Sequence, residues 1–154
     1  VLAGMGGPLM ERILGEGKEA LSGFRELILQ PQSDVPHLRR FLLEKGFQIV
    51  REEFVREEGK FYPIMKAVPV YGKDGERENA DDWTEEELLF GRFLLRGKHP
   101  VLKEYLRREL RIRQEILDQL TGAVSLSGDA RKRKIEVEEE KRQILAALNQ
   151  YESE

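Results

Sequence analysis

The apolar positions of the first 70 residues alternate between short runs and helical spacing, which predicts alternating strands and helices. The stretch "VLAGMGG" (residues 1–7) is typical of a strand that ends in a glycine turn. Pro8 then begins a helix that is expected to end near Gly15 and Gly17. The run "RELILQPQ" (residues 25–32) predicts a second strand that is buried on both faces.

A helix and a β-hairpin are predicted to follow. Asp34 is a candidate N-cap for a helix over "VPHLRRFLLEKG". Residues 47–70 predict two strands joined at Glu58-Gly59-Lys60. Because proline lacks a backbone N–H, Pro63 and Pro69 indicate that the second strand lies at a sheet edge or is interrupted.

This order of elements predicts an α/β fold. Strand–helix–strand–helix–strand implies parallel pairing through right-handed crossovers, to which the hairpin adds one antiparallel strand. The arrangement matches the second half of a doubly wound sheet. Such a half-sheet would leave an apolar edge open unless further strands precede Val1 and cover it. We therefore expect the chain to be the C-terminal part of a longer protein, or a truncated form of it.

The second half of the chain carries helical patterns alone. The polar residues 71–83 are predicted to form a linker. Thr84 then stands three residues before a glutamate, as in a capping box. Residues 101–120 and about 130–151 predict two long amphipathic helices, joined by a turn over residues 121–129.

The apolar faces of the two long helices predict an antiparallel coiled-coil hairpin. Val137, Ile144 and Tyr151 recur at seven-residue intervals. The other helix carries its own apolar line: Leu102, Tyr105, Ile112, Ile116 and Leu120. The predicted organisation is therefore an α/β part over residues 1–70, a linker over residues 71–83 and a helical domain over residues 84–154.

The composition excludes several classes of site. The chain has no Cys, which excludes disulfides and thiolate metal sites. Its two histidines, His37 and His99, are far apart in sequence and are expected at the surface, so we predict no metal site. No run approaches the roughly 18 apolar residues of a membrane span. The net charge of −3 does not by itself indicate nucleic acid.

Positive charge is nevertheless concentrated locally. Residues 92–113 contain eight Lys or Arg against two Glu. Within them, Lys103, Arg107 and Arg111 are four residues apart and share one helix face. A second cluster would lie at the other end of the hairpin: Arg131, Lys132, Arg133 and Lys134. Two separated basic patches favour a long polyanion as ligand. The alternative is a solvated surface with ion pairs between neighbouring turns.

Two turns mark a candidate ligand site, because open α/β sheets bind ligands at the carboxyl ends of their strands. The first, Gly4–Gly7, matches neither the dinucleotide fingerprint nor the P-loop pattern. The second contains Gln30 and Gln32, whose amides are as suited to binding base edges as to stabilising the turn. Tyr62 and Trp83 are candidates for stacking on a base, although packing explains them equally. No catalytic triad, Cys nucleophile or paired carboxylate is evident.

Several segments carry a resemblance to a known family. "VLAGMGGPLMERIL", "LILQPQSDVPHLRRFLLEKGF", "IVREEFVREEGKFYPIMKA" and "LLFGRFLL" occur in this order before a helical hairpin. Together they resemble the bacterial tRNA adenine-N1 methyltransferases that modify the adenine at position 22. The resemblance implies a cytoplasmic enzyme with a Rossmann-like class I methyltransferase domain that uses S-adenosylmethionine. It also implies that the coiled coil helps to hold tRNA.

The resemblance assigns roles to both turns. It places Ala3–Gly7 after the family's fourth strand, where other methyltransferases carry the Asn/Asp-Pro-Pro-aromatic loop that grips the target base. The family's "QPN" turn matches Gln30-Pro31-Gln32, with Gln in place of the usual Asn. The residues expected near the base and cofactor are Gly4, Met5, Gly6, Gly7, Gln30, Pro31 and Gln32. The residues expected to bind tRNA are Lys103, Arg107, Arg111, Arg131, Lys132, Arg133 and Lys134.

The same resemblance limits what these residues do alone. It places the main S-adenosylmethionine loop, and the acidic residue for the cofactor ribose, upstream of Val1. The chain by itself is therefore expected to be inactive, and its parent to be an enzyme. Two alternatives remain open. One is a non-catalytic RNA-binding or scaffold module, and the other is a methyltransferase for a small molecule or a protein, with the coiled coil used for dimerisation.

Overall fold

The computed structural model describes residues 1–17, 23–70, 78–122, 125 and 127–152. They belong to two compact units, Val1–Gly97 and Lys98–Glu154, called here the α/β unit and the helical unit. Residues 71–77 of the predicted linker, and residues 123, 124 and 126 of the predicted interhelical turn, lie outside the described residues.

The α/β unit contains one mixed four-stranded sheet in the order β1-β2-β4-β3. Its strands are β1 (Leu2–Met5), β2 (Leu27–Pro31), β3 (Phe47–Glu57) and β4 (Lys60–Pro69). Its helices are α1 (Gly7–Glu16), α2 (Val35–Glu44), α3 (Glu85–Phe90) and α4 (Arg92–Arg96), with a 3₁₀ turn over Ala80–Asp82. β1 and β2 are parallel, and β4 is antiparallel to both β2 and β3. The α/β prediction is confirmed.

The predicted hairpin turn forms because two successive residues adopt the left-handed conformation. Glu58 has φ 51° and Gly59 has φ 78°. Two central residues with positive φ are characteristic of the type I′ turn, whose twist matches that of the flanking strands.

The prediction of an edge position for β4 is wrong, because this strand lies between β2 and β3. The ladder from β2 extends only to Met65, which lies opposite Leu29. Pro63 therefore occupies a part of β4 that has β3 as its one neighbour, and Pro69 is the last residue of the strand. Neither proline costs the sheet a hydrogen bond to β2.

The expectation that β2 is buried on both faces is also wrong. Leu27, Leu29 and Pro31 are buried, whereas Ile28 between them is 37% exposed. The buried side chains form one core with residues from α1, α2, α3, β3 and β4. This core contains Met10, Leu14, Leu27, Leu29, Leu38, Leu42, Leu43, Ile49, Met65, Ala67, Ala80, Trp83 and Leu88.

A buried ion pair connects α3 and α4 to the rest of this unit. Arg39 on α2 donates from Nε to Oε2 of Glu52 on β3 at 2.9 Å. Its Nη1 donates to the carbonyl oxygens of Leu88 and Leu89, at 2.9 and 3.0 Å. Oε1 of Glu52 accepts the N–H of Phe93 at 3.1 Å. The Arg39 cation thus lies at the C-terminal end of α3, and the Glu52 carboxylate lies at the N-terminal end of α4. Both positions are favoured by the helix dipoles.

The bend between α3 and α4 requires glycine. Gly91 has φ 105°, a backbone conformation that residues with a side chain rarely adopt. A Cβ atom there would lie 2.8 Å from Oε2 of Glu52. Backbone conformation and packing against the ion pair therefore both favour glycine at this position.

The boundary predicted at residue 84 is replaced by one after Gly97, because residues 78–97 belong to the α/β unit. Ala80 and Trp83, at the end of the predicted linker, are buried in its core. The guanidinium of Arg92 lies 4.7 Å from the ring centroid of Trp83 and binds Glu87 at 3.1 Å. The capping box predicted at Thr84 forms and begins α3.

The helical unit consists of α5 (Pro100–Thr121) and α6 (Gly128–Glu152). Arg113 donates to Glu140 at 3.0 Å, and the hydroxyl of Tyr151 donates to the carbonyl of His99, just before α5, at 2.8 Å. Because the start of α5 meets the end of α6, the helices are antiparallel. Burial raises the pKa of Tyr151 to about 12. The buried residues of the two helices are Leu102, Leu106, Leu117, Val137, Ile144 and Ala147.

Candidate functional site

The two predicted turns lie side by side at one edge of the sheet. β1 and β2 are parallel neighbours, with Ala3 opposite Gln30. The turn after β1 (residues 4–7, the first turn) and the turn after β2 (residues 30–34, the second turn) therefore both follow carboxyl ends of strands. This is the position at which open α/β sheets bind their ligands.

Two backbone hydrogen bonds hold the turns together. The N–H of Gln32 donates to the carbonyl of Met5 at 2.9 Å. The N–H of Gly7 donates to the carbonyl of Ser33, also at 2.9 Å. Each turn supplies one donor and one acceptor, so neither can shift along the sheet edge without breaking a bond.

Packing between the turns explains the glycines of the first turn. A Cβ atom on Gly7 would lie 2.6 Å from the carbonyl oxygen of Ser33 and 3.0 Å from that of Asp34. On Gly6 it would lie 2.6 Å from the Ser33 Oγ, a side-chain atom that can rotate away. Gly4 differs, since it has open space around it but a φ of 74°, at a register irregularity of the β1–β2 ladder.

The side chains of the two turns differ in exposure and in hydrogen bonding. Gln30 is half-buried and Gln32 is exposed. Within the described part of the chain, neither amide forms a hydrogen bond. The backbone bonds therefore stabilise these turns without the two amides, whose role in base binding stays a prediction. Pro31 is buried and Met5 is half-buried.

Asp34 occupies the predicted N-cap position of α2, where its carbonyl oxygen accepts the N–H of Leu38 at 3.1 Å. It precedes α2 with φ 51°, and its side chain accepts no capping hydrogen bond. Pro36 occupies the second helical position and has no N–H, which removes one of the donors that an N-cap carboxylate binds. That proline is the sequence signal against a capping hydrogen bond from the side chain. The Asp34 side chain is exposed, and it is the one charged group in residues 3–7 and 30–34.

A side-chain contact joins the helices that follow the two turns. Nδ1 of His37 on α2 lies 2.8 Å from Oε1 of Glu11 on α1. The His37 side chain is 73% exposed, as the sequence predicts, while that of Glu11 is 12% exposed. Of the two aromatic candidates, Trp83 is 4% exposed and serves packing, whereas Tyr62 on β4 is half-buried.

The structure divides the seven predicted tRNA-binding cations into two groups. Arg133 is within 3.7 Å of Glu136 and 3.6 Å of Glu140, and the Lys103 ammonium lies 5.8 Å from the Tyr151 ring centroid. Lys134 is half-buried. The other four are exposed and, among the residues that the structure describes, have no carboxylate partner: Arg107, Arg111, Arg131 and Lys132.

Arg113, two residues beyond Arg111 on the same helix, is an ion-paired arginine and provides a contrast. It binds both Glu109 and Glu140. Burial lowers the pKa of Arg113, but the hydrogen bond to Glu140 and the charge of Glu109 outweigh this effect, so the pKa is raised. Its charge is compensated inside the helical unit, whereas those of Arg107 and Arg111 are available to a ligand.

Over the described ranges, no three His, Cys, Asp or Glu side chains come together as a metal site would need. The helices in those ranges also include none with the length and apolar content that a membrane crossing requires.

Comparisons of the sequence with known proteins identify a family. A family model described as tRNA (adenine(22)-N(1))-methyltransferase matches residues 1–149. The tRNA (adenine(22)-N(1))-methyltransferase of Bacillus subtilis (strain 168) is 33% identical over 135 residues, which are 86% of this chain and 55% of the relative.

Solved structures share the fold of this chain. A protein from Listeria monocytogenes serotype 4b superposes with a TM-score of 0.82 at 30% identity, over 96% of this chain and 61% of the other. A Streptococcus pneumoniae protein in complex with S-adenosyl-L-methionine superposes with a TM-score of 0.72 at 29% identity, over 94% and 57%. The chain spans about half the length of the curated relatives it matches. It belongs to the tRNA (adenine(22)-N(1))-methyltransferase family.

Proposed function

We propose that the full-length protein containing these residues transfers a methyl group from S-adenosylmethionine to N1 of adenine 22 in bacterial tRNA, in the cytoplasm. The observation that carries this proposal is the pair of interlocked turns at the carboxyl ends of β1 and β2. Family membership supplies the reaction, and the turns supply a rigid place for a base. The α/β unit is then the C-terminal half of a Rossmann-like methyltransferase domain, and α5 and α6 form a coiled coil.

The chemistry suits a site that lacks an acid–base pair. Adenine N1 has an available lone pair, so no group must remove a proton before it attacks. The protein has to extract the base from its stack, orient N1 and exclude water. Gly4–Gly7 on one side and Gln30 on the other would hold the base. Since backbone bonds fix both turns, the orientation is set before the base arrives.

The described residues fit one part of the cofactor. The open space over Gly4 and the exposed Ala3 leave the carboxyl edge of β1 accessible. S-adenosylmethionine, when bound, supplies an electrophilic methyl group on a sulfonium. The two turns would line the methyl-bearing end, whereas the ribose would depend on the upstream loop that the family resemblance implies. We therefore expect the 154 residues alone to bind the cofactor weakly. Micromolar affinity of this chain for S-adenosylmethionine would contradict that expectation.

The exposed cations of the helical unit would bind tRNA phosphates. Replacing Arg107 and Arg111 together by glutamine is expected to weaken tRNA binding by roughly tenfold or more at moderate salt, because each neutralised phosphate releases counterions. The slope of log affinity against log salt should also fall by about 0.7–0.9 for each phosphate that the variant no longer neutralises. Titration of labelled tRNA at several salt concentrations measures both effects.

Arg142→Gln is the matched control for this pair. Arg142 is an exposed arginine on α6 that is already paired with Glu139. We expect its substitution to leave affinity and salt slope nearly unchanged. If the control and the double variant changed tRNA affinity equally, Arg107 and Arg111 would be ordinary solvated surface charges and not a tRNA-binding site.

The reaction itself is tested with two tRNA transcripts that differ at position 22. The full-length protein should transfer labelled methyl to the transcript with adenine and not to the one with guanine. tRNA binding without transfer to either transcript would favour a non-catalytic RNA-binding module. Methyl transfer to a small molecule or a protein, at a rate that the Arg107 and Arg111 substitutions leave unchanged, would favour a methyltransferase with a substrate other than tRNA.

A further inference from the structure

The carboxylate of Asp34 is the feature of the candidate site that the proposed mechanism leaves unused. The carbonyl oxygen of this residue is one of the atoms that exclude a side chain from Gly7. Asp34 therefore belongs to the interlocked pair of turns and not to a separate loop. Its backbone is held in the left-handed region at φ 51° and ψ 39°.

No structural role accounts for this carboxylate. It does not cap α2, and in the part of the chain that the structure describes it has no ion pair or hydrogen-bond partner. The neighbouring residues of both turns offer only backbone, amide, hydroxyl and apolar groups. Asp34 therefore supplies the one negative charge of the two turns between which the base is expected to bind.

Methylation of adenine at N1 creates a need for such a charge. The N1 lone pair forms the new bond to the methyl carbon, and the electron pair of the broken carbon–sulfur bond remains on sulfur. The sulfonium charge is thereby neutralised and the base gains one positive charge, which is shared between N1 and the exocyclic N6. A carboxylate that accepts an N6–H hydrogen bond stabilises this charge as it develops.

We propose that Asp34 recognises the target adenine by accepting a hydrogen bond from its N6 amino group, an inference that rests on the proposed function. The same contact selects the base. Guanine presents the O6 acceptor at the corresponding position, and a carboxylate facing it would be left without a donor and repelled. Asp34 thus determines specificity in addition to favouring the charged product.

A cycle of two substrates and two protein variants tests this contact. The full-length protein is assayed on tRNA with adenine at position 22, and on tRNA with unsubstituted purine there, which keeps N1 but lacks the N6 amino group. The wild type should prefer adenine by roughly 10- to 100-fold in kcat/KM, the range expected for a hydrogen bond to a charged group. Asp34→Asn removes the charge and should reduce this preference.

Asp34→Gly is the second variant, because glycine accepts the left-handed backbone and removes the acceptor altogether. It should reduce the preference further, with activity on the purine transcript nearly retained. Asp81→Asn, which changes an exposed aspartate of the 3₁₀ turn, should leave the preference at the wild-type value.

The outcomes separate the two proposals. Equal losses on both transcripts in the Asp34 variants would show a structural role and overturn the inference alone. If the wild type methylates neither transcript, the proposed function fails, and the role of Asp34 fails with it.

Discussion

Replacing Arg39 with alanine is expected to lower the free energy of unfolding of the α/β unit by about 3–5 kcal/mol, the usual cost of removing one partner of a buried ion pair. The side chains of Arg39 and Glu52 are 2% and 1% exposed. The substitution would leave the Glu52 carboxylate without its cation, and the carbonyls of Leu88 and Leu89 without a donor. α3 would then lose its hydrogen bonds to α2.

Chemical denaturation measures this loss, with the fluorescence of Trp83 as the signal. Trp83 is the single tryptophan of these 154 residues and is packed against Phe93 and Arg92 in the same unit. Arg40→Ala is the matched control, because Arg40 is the next residue of α2 but is exposed and lies 3.9 Å from Glu44. Its substitution should cost less than about 1 kcal/mol.

A second variant distinguishes the cost of leaving a buried charge unpaired from the cost of losing the Arg39 side chain. Arg39→Met with Glu52→Leu removes both charges, and apolar pairs of similar volume often replace buried ion pairs at little cost. This double variant should be more stable than Arg39→Ala. If Arg39→Ala and Arg40→Ala instead cost the same, the ion pair does not anchor α3 and α4.

Replacing Gly7 with alanine is the second change with a large expected effect. The new Cβ would lie 2.6 Å from a backbone oxygen, and backbone cannot move aside as a side chain can. The two turns must separate, which should cost about 1–3 kcal/mol, as overpacking does elsewhere. If the turns hold the base, a displacement of about 1 Å is expected to lower kcat/KM for methyl transfer by roughly 100-fold.

Two other glycines provide the comparison for Gly7→Ala. Gly15 lies within α1 with open space around its Cβ position, so Gly15→Ala should be neutral or stabilising by up to about 1 kcal/mol. Gly6→Ala should fall between them, since it meets the rotatable Ser33 Oγ. Equal stability and activity of the Gly7 and Gly15 variants would mean that the close approach of the turns is not required.

Local features of this fold could be predicted because neighbouring residues specify them. The capping box at Thr84 and the turn at Glu58-Gly59 each depend on a few adjacent residues, and both form as expected. The insertion of β4 between β2 and β3 depends on pairing between distant segments, so the prolines of β4 were misleading. The boundary after Gly97 has the same cause, because Arg39 and Glu52 bind residues of α3 and α4 that lie more than 40 positions away in sequence.

The candidate site shows a similar division. The carboxyl-edge rule and the family resemblance located the two turns, but they did not identify what packs against the glycines. Gly7 packs against the backbone of Ser33 and Asp34, a contact that no local pattern encodes. The missing side-chain cap at Asp34 was predictable from Pro36, which has no N–H to donate.

The central claim, that the full-length protein methylates N1 of adenine 22, is tested most directly by locating the methyl group on the product. A methyl group at N1 blocks the Watson–Crick edge of the base, so reverse transcription of treated tRNA should stop immediately before position 22. The released nucleoside should be 1-methyladenosine. Full read-through with label in N6-methyladenosine, or a stop at another position, would contradict the account.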